Sequence, residues 1–181
     1  LTGSSVANRL AGFGGNDTLI GLGGNDTLIG GIGNDNMTGG FGSDFFIFGD
    51  LFGNDTVLEG AGEGTNDTMD FSTVASPLEV LLGSVTVSDG SSTATHAGDH
   101  IETVIGGSAN DAFVMTGSSV FFPGTLDGGG GNNTLWYDDP DAVIASTVED
   151  GGTPNVSSAI NFAAVNAIEW QENAAISGPV L

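Results

Sequence analysis

Between Gly12 and Ile47 the chain repeats itself every nine residues, as GFGGNDTLI, GLGGNDTLI, GGIGNDNMT and GGFGSDFFI. A short fixed period constrains the fold strongly, because a unit this small cannot bury its own apolar face and must stack on its neighbours. Each unit supplies a Gly-rich turn, an Asp at the sixth position (Asp17, Asp26, Asp35, Asp44) and an extended piece with an apolar centre (Leu19, Leu28, Met37, Phe46). Glycines at the first, third and fourth positions permit positive φ and close backbone approach, so carbonyls can converge on the Asp.

Hard cations such as calcium take about six to eight oxygens at roughly 2.3 to 2.6 Å, more than one turn offers. Two turns suffice if every second unit lies over the one before, pairing Asp17 with Asp35 and Asp26 with Asp44. The pieces between turns then form two parallel sheets with strands about 4.8 Å apart. Leu19 stacks on Met37 in one sheet and Leu28 on Phe46 in the other, while Thr18 and Ile20 face outward.

The units match GGxGxDxUx and so resemble the RTX (repeats-in-toxin, haemolysin-type) calcium-binding family. The first two units depart at the second position, where Phe13 and Leu22 replace Gly. The resemblance implies an all-β fold, a right-handed parallel β-roll or β-solenoid with several calcium ions in its turns. It implies as metal ligands Asp17, Asp26, Asp35 and Asp44 with Gly15, Gly24, Gly33 and Gly42. It also implies a secreted or cell-surface bacterial protein, unfolded inside the cell for type I secretion and rigid outside.

The charge balance fits such a site. One Lys+Arg, Arg9, stands against 23 Asp+Glu, a formal net charge of −22. That excess repels nucleic acid and anionic membranes and strains a compact fold by self-repulsion, which bound divalent cations would relieve. With 39% hydrophobic residues and 11 Phe, the chain is not composed like a disordered acidic tail. It has no Cys, so metal rather than disulfides must staple it. No run of about 18 apolar residues predicts a membrane span. The start, LTGSSVANRLAG, lacks signal-peptide features, and Gly3 to Ala11 reads as a fifth unit with Asn8 and Leu10 in the Asp and apolar places. A processed product or a segment of a longer solenoid is expected.

Beyond Phe46 the rhythm loosens. FGNDTVL and TNDTMDF keep the pattern as Asp55 with Val57 and Asp67 with Met69, although Thr65 replaces the turn Gly. Asp55 and Asp67 are expected metal ligands, as is Asp111, which returns with Phe113 in IETVIGGSANDAFV. In LDGGGGNNTLWY the same place is Asn133, whose turn is expected to hold itself by side-chain to backbone hydrogen bonds. PLEVLLG and SVTVSDG read as strands. The expected organisation is a calcium-binding roll over 1–58 and a degenerate continuation over 59–181, capped at its C-terminal end with Phe162 and Trp170 as lids. DDPD at Asp138 to Asp141 reads as a solvated turn, with a cation site as the alternative.

Catalytic chemistry finds little support. There is no Lys to stabilise a developing anion, and the Gly-rich loops lack the Lys-Ser/Thr ending of a phosphate cradle. His96 and His100 flank Asp99, but Gly98 and the lack of a helical period make them loop histidines. The NDT sequons at Asn16, Asn25, Asn54 and Asn66 read as by-products of the repeat. The expected function is a non-enzymatic structural segment of a surface layer, adhesin or filament. Outward Ile20, Ile29, Phe45 and Ile47 would serve self-association or contact with neighbouring repeats. The alternatives are the C-terminal secretion and folding module of an exoenzyme, and a glycan-binding module using Trp136, Tyr137 and Trp170.

Overall fold

A computed structural model describes residues 1–59, 64, 66–82, 85–96, 100–116, 125–138, 161–163 and 165–170. All its regular elements are strands, coiled into a β-solenoid with two facing sheets. The first sheet is parallel throughout and runs β1 (Arg9–Gly14), β3 (Thr27–Ile32), β5 (Phe45–Ile47), β7 (Thr68–Asp70), β11 (Thr103–Ile105), β13 (Thr125–Asp127) and β15 (Asn161–Ala163). The second begins with β2 (Thr18–Gly23), β4 (Asn36–Phe41) and β6 (Asn54–Leu58) and ends with β12 (Ala112–Thr116), β14 (Asn133–Asp138) and β16 (Val165–Trp170).

The register follows from the period. Two nine-residue units make one coil, so Leu19 lies beside Met37 and Leu28 beside Phe46, as the repeat predicts. The worn units keep it, with Val104 beside Leu126 and Phe113 beside Leu135. These centres are fully or almost fully buried, because alternate residues of a strand point to opposite faces and the repeat places its apolar residue inward each time.

The second sheet departs from a simple coil between β6 and β12. There β8 (Glu79–Leu81), β9 (Thr86–Ser88) and β10 (Thr93–Thr95) form a meander in which β9 is antiparallel to both neighbours. The sequence reading places strands here but not this reversal, since strand patterning carries no direction. The second sheet therefore holds 9 strands against 7 in the first. Near the widening, Phe48, Phe52 and Phe71 fill the core. Phe48 and Phe71 stack at 4.4 Å, and Phe52 sits edge-on to both. Both sheets run on past residue 58.

The side chains of Phe162 and Trp170, expected as lids, and those of Trp136, Tyr137 and Asp138 lie outside the described residues, as do 139–141. No helix among the described residues is long and apolar enough to cross a membrane.

Candidate metal centre

From Asp26 to Asp67 each sixth-position side chain stands at the foot of a strand, where its first oxygen meets the coil below. Asp26 Oδ1 accepts the amide of Asn8 at 2.7 Å, Asp44 that of Asp26 at 2.6 Å and Asp67 that of Asp44 at 2.8 Å. On the other edge Asp35 accepts the amide of Asp17 at 2.7 Å and Asp55 that of Asp35 at 2.8 Å. The expected pairs, Asp17 with Asp35 and Asp26 with Asp44, are thus direct neighbours.

The second oxygen has another environment. Oδ2 of Asp17, Asp26, Asp35, Asp44 and Asp55 is buried with no hydrogen-bond partner. In Asp17, Asp26, Asp35 and Asp44 it lies against the first glycine of its own turn. A Cβ added to Gly12 would sit 2.6 Å from both Asp17 Oδ2 and the Gly30 carbonyl of the next coil. The same convergence recurs at Gly21, between Asp26 Oδ2 and the Gly39 carbonyl. Both groups are acceptors, and two acceptors cannot satisfy one another. Burying them together is costly unless a proton or a cation comes between them.

The titration behaviour of the metal-free chain carries the same message. Burial pushes the Asp55 carboxyl up to about 7, against the lowering effect of the Asp35 amide and with the Asp35 charge adding to the rise. Asp44 is raised for the same first reason, burial, opposed by the Asp26 amide. Asp111 is also raised by burial, although two amides, of Leu78 at 2.8 Å and Gly107 at 2.7 Å, pull the other way. Asp111 therefore differs from the repeat Asp residues, since each of its oxygens accepts a protein hydrogen bond.

The turn backbone corrects the expected use of glycine. Positive φ falls at the second and fourth positions, as at Gly31 (104°), Gly40 (97°), Gly15 (101°) and Gly24 (97°). The first-position glycine is needed instead because any Cβ would strike the Asp oxygen. Phe13 and Leu22 occupy the second position and still adopt φ of 73° and 83°. Stacking on the next coil holds them in a region that costs a residue with a Cβ roughly 1–2 kcal/mol. Gly15, Gly24, Gly33 and Gly42 direct their carbonyls at the following rung. A Cβ on Gly33 would meet the Gly15 oxygen, and one on Gly42 the Gly24 oxygen. At Gly64 the Gly42 carbonyl converges with Asp67 Oδ2.

The Asn133 turn shows what the same backbone does without an anion. Asn133 Nδ2 donates to the carbonyls of Gly128 at 2.6 Å and Gly130 at 2.9 Å, the first and third positions of its own turn. Its Oδ1 accepts the Asp111 amide at 2.9 Å, as an Asp would. The expectation of a self-held turn agrees with this geometry.

Sequence reasoning missed four features. Asn at the fifth position forms its own ladder, with Asn16 Oδ1 accepting the Asn34 amide and Asn34 Oδ1 the Asn54 amide, both at 3.0 Å. The Asn16 and Asn34 side chains are thus part of the turn. Glu102 continues the Asp ladder by accepting the Asp67 amide at 2.7 Å, 35 residues on, a separation no fixed period reveals. Glu59 is buried beside Asp44. Its place directly after the Asp55 unit, where earlier units carry their first Gly, was the available signal. His96, expected as a loop histidine, does lie in a loop, but it is buried. It is 2% exposed after β10, with Nδ1 3.1 Å from the Val57 carbonyl, because the meander folds that segment inward. Its ring lies 6.4 Å from that of His100, and Asp99 lies outside the described residues.

A parallel β-solenoid whose turns stack buried, unpaired carboxylate oxygens along both edges defines a cation-binding repeat protein. A family model for the RTX calcium-binding nonapeptide repeat matches residues 11–46 and 125–139 in 4 copies. Those residues are RTX repeats, which bind calcium, and the chain is a calcium-binding repeat segment of a bacterial protein. The donor set fits the ion, since a carbonyl converges with Oδ2 of Asp17 and of Asp26, and a carboxylate with that of Asp44. A search of curated proteins finds no match.

Proposed function

We propose that the chain is a structural segment of a secreted or surface-exposed bacterial protein, folded by the calcium it binds. Asp17, Asp26, Asp35, Asp44, Asp55 and Asp67 are the ligands, helped by carbonyls of the Gly-rich turns, including Gly15, Gly24, Gly33 and Gly42. Asp111, already hydrogen-bonded through both oxygens, is the weakest member of the set. The observation that carries this reading is the row of buried Oδ2 atoms without a partner.

Calcium bound between rungs neutralises facing acceptors and joins one coil to the next. Each site filled only in the folded state adds RT ln(1+[L]/Kd), about 2.7 kcal/mol at a hundredfold excess over Kd. Against a domain stability of about 5–15 kcal/mol, two or three sites decide whether the roll folds. Residues 1–58 are the regular calcium-binding roll and 59–181 the degenerate continuation, which adds Asp67 and Asp111 to the ligand set. The segment is not an enzyme; with one basic residue in 181 it is poorly equipped to stabilise an anionic transition state.

Self-association is supported by the turns rather than the sheet faces. Ile20 lies in the second sheet and Ile29, Phe45 and Ile47 in the first, so these four outward residues do not share one face. Phe13 (82% exposed) and Ile32 (60%) instead stand on adjoining rungs of one edge, and Leu22 and Phe41 on the other. Circular dichroism and calorimetry with calcium and with a chelator test the reading. The β-signal should rise strongly as calcium is added, and an identical signal in both conditions would sink the folding switch.

A further inference from the structure

The nonapeptide repeat explains one carboxylate per turn, yet one place holds three. Asp44, Glu59 and Asp67 are all buried, and each offers an oxygen within 4.8 Å of the others. Asp44 and Asp67 occupy the sixth position of consecutive turns on one edge. Glu59 has no counterpart in the repeat. It follows the Asp55 unit directly, at the place of Gly12, Gly21, Gly30 and Gly39. A Cβ is tolerated at Glu59 because the turn is lengthened and Gly64 takes the close approach to Asp67.

The Glu59 side chain is held, not merely trapped. Its Oε1 accepts the amide of Gly39 at 2.6 Å, which turns the carboxylate towards Asp44. Its Oε2 is buried and has no hydrogen-bond partner, like Asp44 Oδ2 in the same cluster. Glu59 is 8% exposed and Asp44 is fully buried, so water does not compensate these atoms. Three carboxylates meeting here, two of them with an orphaned buried oxygen, are a donor set that a hard cation matches.

We propose that Glu59 is a metal ligand, and that with Asp44 and Asp67 it forms the tightest calcium site of the roll. This rests on the calcium reading of the turns and goes beyond it by naming a ligand outside the repeat and a rank order among sites. Calcium affinity rises with the number of charged ligands, and here three carboxylates meet where a regular turn brings fewer. The site joins the last regular coil to the lengthened turn, so its ion holds the repeat array to the continuation. It fills first as calcium rises and empties last as calcium falls.

The test is a titration of the full chain with calcium in chelator-buffered solutions, followed by calorimetry and by circular dichroism, for the native chain, E59Q and D35N. Glutamine keeps the acceptor for the Gly39 amide and removes one charge. E59Q should lose the tightest binding step and need about tenfold more calcium to fold, the equivalent of about 1.4 kcal/mol. D35N should lose a weaker step and keep the tightest. If no ion sits on Glu59, removing a repelling charge lowers or leaves unchanged the calcium needed. That result, or an intact tight step in E59Q, overturns the proposal while the calcium reading stands. A native chain that binds no calcium overturns the reading beneath it. Should E59Q not fold at any calcium concentration, E59D is titrated instead. It keeps the charge with a shorter reach, so the proposal requires the same number of ions with a weaker first step, and unaltered affinity refutes it.

Discussion

The turn at Asn133 and the turn at Asp35 have the same place in the repeat and opposite electrostatic needs. Asn133 closes its turn with its own amide, which donates to Gly128 and Gly130. Asp35 brings an acceptor to that position, and its Oδ2 remains buried without a partner. Both side chains use Oδ1 alike, to receive an amide from the preceding coil. The solenoid turn thus requires positive character at its sixth position, and one oxygen-to-nitrogen exchange decides whether the chain or the solvent provides it.

Removing calcium should separate the two kinds of turn most strongly. In chelator, amides of β2 to β6 should lose most of their hydrogen-exchange protection, while those of β13 and β14 keep more. Equal loss in both regions would mean that the Asn turn is no more self-sufficient than the Asp turns. Exchanging the side chains comes next in size. N133D removes two donated hydrogen bonds and leaves a buried acceptor, so it should destabilise the calcium-free chain by about 1–3 kcal/mol and add a calcium-dependent gain in melting temperature. D35N should do the reverse and make folding less dependent on calcium.

Acid should imitate calcium more weakly. The metal-free folded chain holds Asp55 at about 7 and Glu59 at about 8, against ordinary values of 3.8 and 4.5. For Glu59 the main cause is burial, partly opposed by the Gly39 amide. Folded-state values raised in this way mean that the folded chain binds more protons than the unfolded one. The unfavourable contribution is absent below about pH 4 and complete above about pH 8. Denaturant melts in chelator should therefore show stability falling from pH 5 to pH 8, and a rise would contradict the burial of these groups.

The smallest effect concerns the backbone. F13G should relieve left-handed strain of roughly 1–2 kcal/mol while losing about 0.5–1 kcal/mol to the greater freedom of glycine when unfolded. The net gain should appear as a slightly higher melting temperature in calcium. A clear loss would show that Phe13 makes contacts worth more than its strain.

Much of this was legible before any coordinates. Period and apolar position together place Leu19 on Met37 and Asp17 by Asp35, because two nine-residue units make one coil and the strand alternates its faces. The glycine roles were legible only in part, since Gly marks both a positive φ and a missing Cβ, and composition does not say which. Glu102 and the burial of His96 were not legible, because insertions break the register that would have aligned them, and Glu59 left only its place after the Asp55 unit as a signal.

By itself, then, the sequence determined the coil, its rungs and the demand of the Asp turns for a cation. These follow from local repetition, where each unit meets only its neighbours. The tertiary structure alone decided the reversed β9, the inward fold of His96 and the meeting of Glu59 with Asp44 and Asp67. Such features depend on which segments come together after the period has lapsed, and packing between distant residues settles that.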